Sequence, residues 1–206
     1  MAQITSGIRK VLSNPYVYDA FQAFLGADPA RQRICNEYFR PKTGDVIVDV
    51  GCGTAEILVH FPPDVQYFGF DLEPSYIDMA QARFGSRGHF RCADITGLEA
   101  SDIPPCDLAI AFGVLHHLDD DGAQRLLENL YQRLSPGGRL VTVDPAFHEG
   151  QSRIARSLIE RDRGQNVRTG QGYLELVPAR FSDKRLVVRH DLLRIPYTHA
   201  IIESTK

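Results

Sequence analysis

Three aspartates in the first half of the chain each close a short apolar run: Asp49 in VIVDV, Asp71 after residues 65–70, and Asp94 after residues 88–92. Asp49 stands two residues before Gly51-Cys52-Gly53 and is an acceptor aimed towards that turn, suited to an ammonium or hydroxyl group. Asp71 follows Asp49 by 22 residues, close to the interval at which nucleotide-binding folds set a carboxylate on ribose hydroxyls. One carboxylate can accept from both hydroxyls of a vicinal diol. The competing reading of Asp71 is a helix cap ahead of Pro74, and Asp94 taken alone is a turn residue. His116-His117 follow a fourth apolar run, residues 107–112; imidazole titrates near neutral pH, so one of the pair can act as a base, orient a substrate, or simply pack. Arg163 and Arg168 bracket a helix-breaking GQNV run, and paired guanidinium groups suit bidentate capture of carboxylate or phosphate. Their plainer role is in a solvated helix with ion pairs such as Glu149–Arg153 and Arg156–Glu160.

Something must hold these groups in place. Residues 46–50 have the β-branched character of a buried parallel strand, the glycines turn, and Thr54 can cap a short helix that Pro62 and Pro63 end. Strand, glycine turn and helix N-terminus make the ligand cradle of doubly wound folds. A dinucleotide fingerprint would need glycine at position 56, where Glu56 would repel a pyrophosphate. The cradle therefore favours a ligand with a cationic amino-acid end.

Downstream, the pattern predicts a helix from Pro74 to Phe84, an amphipathic helix over residues 119–134, an SPGG turn and a fifth strand over residues 139–144. A polar insert, residues 146–182, carries helical stretches near 151–163 and 173–178, and strands at 184–192 and 196–204 must pair antiparallel. Residues 1–43 form a helical cap, with helices expected at 16–25 and 29–39; its Tyr16, Tyr18, Phe21 and Gln22 either reach the ligand or only seal the domain. The sum is one α/β domain over residues 1–206: a doubly wound, Rossmann-like sheet of seven strands, the last antiparallel, with helices on both faces.

Composition narrows the function. A formal net charge of −3 gives no general attraction to nucleic acid or to an anionic membrane. No stretch has the length and apolarity of a membrane span or a signal peptide, and the four cysteines lack metal-binding spacing, so a cytoplasmic protein with free thiols and no metal is expected.

The ordered set Asp49/Gly51/Gly53, Asp71, Asp94, GVLHHL and LSPGGRL resembles the class I S-adenosylmethionine-dependent methyltransferases, in the small-molecule branch. The resemblance covers residues 43–145 by motif and the rest by topology. It implies S-adenosylmethionine as cofactor, held by Asp49, Gly51, Cys52, Gly53, Asp71, Leu72, Asp94, Ile95, Phe112 and Gly113, with Asp94 on the adenine amino group. It implies a small-molecule acceptor touched by Tyr18, His116, Arg163 and Arg168, and His117 as candidate base for transfer to oxygen, nitrogen or carbon. Phe112-Gly113-Val114 lacks the NPPY-like motif of enzymes that methylate nucleobase or glutamine nitrogen. Ala55 stands where many members have a third glycine. Two other functions share these features: a cofactor-binding regulatory protein without transfer, and, against Glu56 and Asp49, a nicotinamide oxidoreductase. The oligomeric state is left open.

Overall fold

The computed structural model describes residues 27–162 and 164–206. The expected helix at 16–25, with Tyr16, Tyr18, Phe21 and Gln22, lies outside the described residues, as does Arg163. In chain order the elements are α1 (Ala27–Ile34), β1 (Val46–Val50), β2 (Gln66–Asp71), α2 (Pro74–Phe84), β3 (Gly88–Cys92), β4 (Cys106–Phe112) and α3 (Asp120–Arg133). They continue with β5 (Leu134–Phe147), α4 (Arg153–Glu160), β6 (Arg168–Thr169), α5 (Gly170–Leu176), β7 (Asp183–Arg189) and β8 (His199–Thr205).

The sheet runs in the order β3-β2-β1-β4-β5-β8-β7, with β6 paired to the end of β5. Strands β1 to β5 are mutually parallel, and β8 enters antiparallel between β5 and β7. The expected architecture is present with one addition: the insert supplies a two-residue strand, Ala146↔Arg168 and Phe147↔Thr169, making eight strands rather than seven. His199 through Ser204 of β8 are all buried, because the strand lies inside the sheet and packs on both faces, Ala200 and Ile202 on one and Ile201 on the other.

Alternation along the central strands separates two cores. Ile47, Leu108, Ile110, Val141, Val143 and Ile201 face α1, α2 and the short helix after the glycine turn. Val48, Val50, Ala109, Ala111, Leu140 and Ile202 face α3 and α5. Helix α3 shows why these segments fold as they do. Asp119 caps it by accepting from the Gly122 N–H at 2.8 Å, and Asp120 and Asp121 complement the dipole of the first turn. Its buried Leu126, Leu127 and Leu130 contribute about 1.5–3 kcal/mol each, and truncating one to alanine would cost about 2–5 kcal/mol.

The helix after β1 departs from expectation. It is a 3₁₀ segment, Glu56–His60, whose cap position is Ala55 rather than Thr54, and the alanine makes no side-chain cap hydrogen bond. Ala55 is fully buried with φ at 57°, a conformation that costs a non-glycine residue about 1–2 kcal/mol. The third glycine it replaces would have adopted that φ freely.

Candidate functional site

The carboxyl ends of β1, β2, β3 and β4 bring the predicted cradle residues together. Gly51 has φ at 75°, and a side chain there would collide with the Val114 side chain, so the turn passes against the segment after β4 only because position 51 is glycine. Its N–H and that of Cys52 both donate to the Phe70 carbonyl, at 2.7 and 3.0 Å, which ties the turn to β2.

Asp71 is pinned from two sides. Its Oδ2 accepts from the Gly53 N–H at 2.8 Å and its Oδ1 from the Glu73 N–H at 2.9 Å. A carboxylate offers about four lone-pair directions, so acceptor capacity remains after these bonds. The helix-cap reading does not hold: Glu73 caps α2, accepting from the Ser75 N–H at 3.3 Å. Burial raises the Asp71 pKa, against the lowering from its backbone donors. Beside it Leu72 is 43% exposed, an apolar surface next to a diol acceptor. Asp94 is exposed at the end of β3; its Oδ1 accepts from the Thr96 N–H (2.9 Å) and hydroxyl (2.7 Å), while Ile95 is buried. These bonds hold the Asp94 pKa below its ordinary value. Phe112 and Gly113 close the cradle on the β4 side, with the Gly113 N–H on the Val143 carbonyl at 2.7 Å.

Asp49 sits deeper than an acceptor at a turn, at 2% exposure. The Tyr67 hydroxyl donates to its Oδ2 at 2.6 Å, and its Oδ1 has no hydrogen-bond partner among the described residues. Burial pushes its pKa up to about 7, beyond what the Tyr67 hydrogen bond takes back.

The acceptor side differs from expectation in its details. His116 is buried and held at both ring nitrogens, Nδ1 to Asp144 Oδ1 at 2.8 Å and Nε2 to Asp162 Oδ1 at 3.3 Å. Burial alone would lower its pKa; the hydrogen bonds and charges of Asp144 and Asp162 outweigh that and raise it to about 9, making His116 an imidazolium. Asp162 also accepts from the Tyr197 hydroxyl at 2.9 Å and the Gly164 N–H at 2.9 Å, and these with His116 lower its pKa despite burial. The Asn166 N–H donates to the His116 carbonyl at 2.9 Å, and a side chain at Gly164 would strike the His116 ring. His116 is therefore a latch that holds Asp162, Gly164 and Asn166 against the end of β5.

Arg168 also takes another role. Its guanidinium donates to Asp120 Oδ1 at 2.6 and 2.9 Å and to the carbonyls of Leu115 (3.0 Å), Asn166 (2.8 Å) and Leu118 (2.9 Å). It braces the loop against residues 115–120, and its donors are committed to the protein rather than to an acceptor. His117, half-buried, sets its ring against that of His116 at a tilt of 39°, with centroids 4.0 Å apart. Sequence reasoning missed Tyr67, Asp144, Asp162 and Tyr197. Only Asp144, another acid late in a core strand, carried a signal of the kind that exposed Asp71 and Asp94.

Residues 48–140 match the family model described as a methyltransferase domain. Over that span the chain is similar to methyltransferase domains. The chain is 35% identical to an O-methyltransferase of Aspergillus sclerotiorum over 107 residues, 49% of this chain and 40% of that protein. It is 29% identical to trans-aconitate 2-methyltransferase of Deinococcus radiodurans over 137 residues, 65% of this chain and 51% of that protein. The chain thus spans about half the length of the curated relatives it matches. A solved mitomycin 7-O-methyltransferase has a similar fold, with a TM-score of 0.68 at 18% identity over 95% of this chain and 60% of that one. Human N-acetylserotonin methyltransferase, solved with S-adenosylmethionine, gives 0.63 at 20% identity over 88% and 51%.

The cradle suits that cofactor on its own geometry. Nothing lies within 4 Å of where a Gly53 side chain would point, so the turn fronts open space. Around that space stand a carboxylate at Asp71, an apolar surface at Leu72 and a second carboxylate at Asp94, and Asp49 lies buried beneath the turn with one carboxyl oxygen that has no hydrogen-bond partner among the described residues. No cluster that could hold a metal ion occurs among the described residues, and no helix there is long and apolar enough to cross a membrane.

Proposed function

We propose that the domain transfers a methyl group from S-adenosylmethionine to an oxygen of a small-molecule acceptor. The observation that carries this is Asp71, a carboxylate oriented by backbone donors at the mouth of the glycine turn with acceptor capacity left over. The names of several curated relatives, O-methyltransferases of three fungi, support oxygen as the acceptor atom. When bound, the cofactor supplies a methyl group already made electrophilic by its sulfonium.

The chain's own work is then to position and to manage one proton. Asp71 accepts from the ribose hydroxyls, Leu72 packs on the adenine, and Asp94 with the Ile95 backbone reads its edge. Asp49, Gly51, Cys52 and Gly53 receive the amino-acid end, and Phe112 and Gly113 bound it. His117 takes the proton of the acceptor hydroxyl, on a segment fixed by the His116 latch. Positioning contributes about 7–11 kcal/mol in well-oriented reactions, against about 10²–10⁴-fold from a base, so His117 supplies the smaller share. Tyr18 and Arg163, outside the described residues, stay candidates for the acceptor side. We place the protein in the cytoplasm, where Cys35, Cys52, Cys92 and Cys106, all free, would persist as thiols.

Calorimetry with S-adenosylmethionine and S-adenosylhomocysteine tests the binding half. Asp71→Ala should weaken both by about 1.5–3 kcal/mol, the worth of hydrogen bonds to a charged group, and an unchanged affinity would remove Asp71 from the cofactor site. Release of S-adenosylhomocysteine across a panel of hydroxylated acceptors tests the transfer. Tight binding with no turnover across that panel would return the binding-only reading.

A further inference from the structure

Beneath the glycine turn lies a carboxyl group without a counter-charge. Asp49 is on β1, between Gly69 of β2 and Ile110 of β4, and shares its side of the sheet with Ile47 and Ile110. The titratable groups that face it are Tyr67 and Asp71 from β2 and Cys52 from the turn; β4 and the short helix after the turn present apolar residues there. Among the described residues no lysine, arginine or histidine acts on it. Tyr67, itself fully buried, occupies Oδ2, and Oδ1 is buried with no hydrogen-bond partner among the described residues.

A buried carboxylate in that setting is held back by burial and by a second acid nearby, and only one hydroxyl favours the anion. We propose that Asp49 carries a proton in the free domain and releases it to solvent when the cofactor's positive charge settles beside it, so that cofactor capture is coupled to the loss of one proton. This rests on the cofactor reading above. The O–H bond of Asp49 is the one that breaks, its proton passes to buffer, and the resulting carboxylate pairs with the ligand cation. Burial that pushes the Asp49 pKa up to about 7 sets where the coupling acts. Below that pH, affinity should rise close to tenfold per pH unit and then level. A ligand without a cation would gain nothing from this exchange, so the device also selects for charge.

The test is calorimetry at pH 6 in two buffers of different ionisation enthalpy, with S-adenosylmethionine and S-adenosylhomocysteine as probes. The wild-type chain should release about 0.9 proton per ligand bound, the protonated share of a group titrating near 7. Release with both ligands assigns the exchange to their shared ammonium; release with S-adenosylmethionine alone assigns it to the sulfonium. Asp49→Asn, which cannot titrate, should bind without release. Tyr67→Phe loses the hydroxyl that favours the anion, so it should release more protons than wild type at pH 7.5, and this comparison serves if Asp49→Asn does not fold. Binding with no buffer-dependent heat at pH 6, or release that persists in Asp49→Asn, overturns the coupling alone. Failure of both ligands to bind folded protein overturns the cofactor reading and the coupling with it.

Discussion

Replacing Asp162 by asparagine should loosen the latch on His116 in a way that depends on pH. In the folded chain the His116 pKa is raised from 6.5 to about 9, so its charge stabilises the fold fully below pH 6.5, and that contribution disappears as pH rises through 9. Holding the imidazolium over that interval is worth about 3 kcal/mol, shared between Asp144 and Asp162. Asp144 makes the shorter contact, 2.8 Å against 3.3 Å, so about 1 kcal/mol belongs to Asp162. The asparagine offers one oxygen where the carboxylate serves His116, Tyr197 and Gly164, so one more hydrogen bond is lost, worth about 1 kcal/mol. The total at pH 6.5 is about 2 kcal/mol, or a melting temperature about 4–8 °C lower for a domain of this size. Urea unfolding at pH 6.5 and pH 9.5 measures it. At pH 9.5 His116 is largely neutral in both proteins, and the difference should shrink to about 1 kcal/mol. Asp49 also titrates with a shifted value, but neither His116 nor Asp162 acts on it, so it cancels between parent and variant. A penalty equal or larger at pH 9.5 would refute an imidazolium latch.

Gly164→Ala should lower stability by about 1–3 kcal/mol, because its methyl needs space the His116 ring fills, and amide exchange should quicken over residues 162–168. Arg168→Ala should destabilise by about 2 kcal/mol while leaving cofactor affinity alone, since its bonds are to Asp120 and three backbone carbonyls. Parent-like stability with a raised acceptor KM would put Arg168 back at the acceptor. His117→Ala should cut turnover by about 10²–10⁴-fold, with cofactor binding intact and the acid limb of the pH–rate profile gone. Turnover equal to the parent would end its role as base.

Much of the cofactor half could be read from residue order. Strand, glycine turn and strand-end acid are local features, and the parallel order of β1 to β4 then brings Asp49, Asp71 and Asp94 to one edge. The acceptor half could not be read that way, because its decisive contacts are long-range. Asp162 meets Tyr197, and His116 meets Asp144 and Asp162, across stretches that carry no periodic signal. Arg168 shows the cost: a guanidinium in a polar loop invites an anion, yet Leu115, Leu118 and Asp120 had claimed it through the fold. Tyr67 looked like one more apolar strand residue, and its hydroxyl has meaning only because β1 and β2 run in register.

The position of β8 bears on how the domain assembles. Its residues 199–205 fill the gap between β5 and β7, pairing Arg139 with Thr205 and Pro145 with His199, so the sheet's interior is completed by the strand that is made last among those described. The cofactor half grows by short right-handed crossovers, whereas the closing of β5 must wait for a pairing of large sequence separation, the kind that slows folding. Until then β5 presents an open edge carrying Val141 and Val143. A nascent chain would therefore hold a nearly formed nucleotide cradle beside an unfinished sheet. Substitutions at Ile201 or Ile202 would act on the speed and cleanliness of folding before they reached the chemistry.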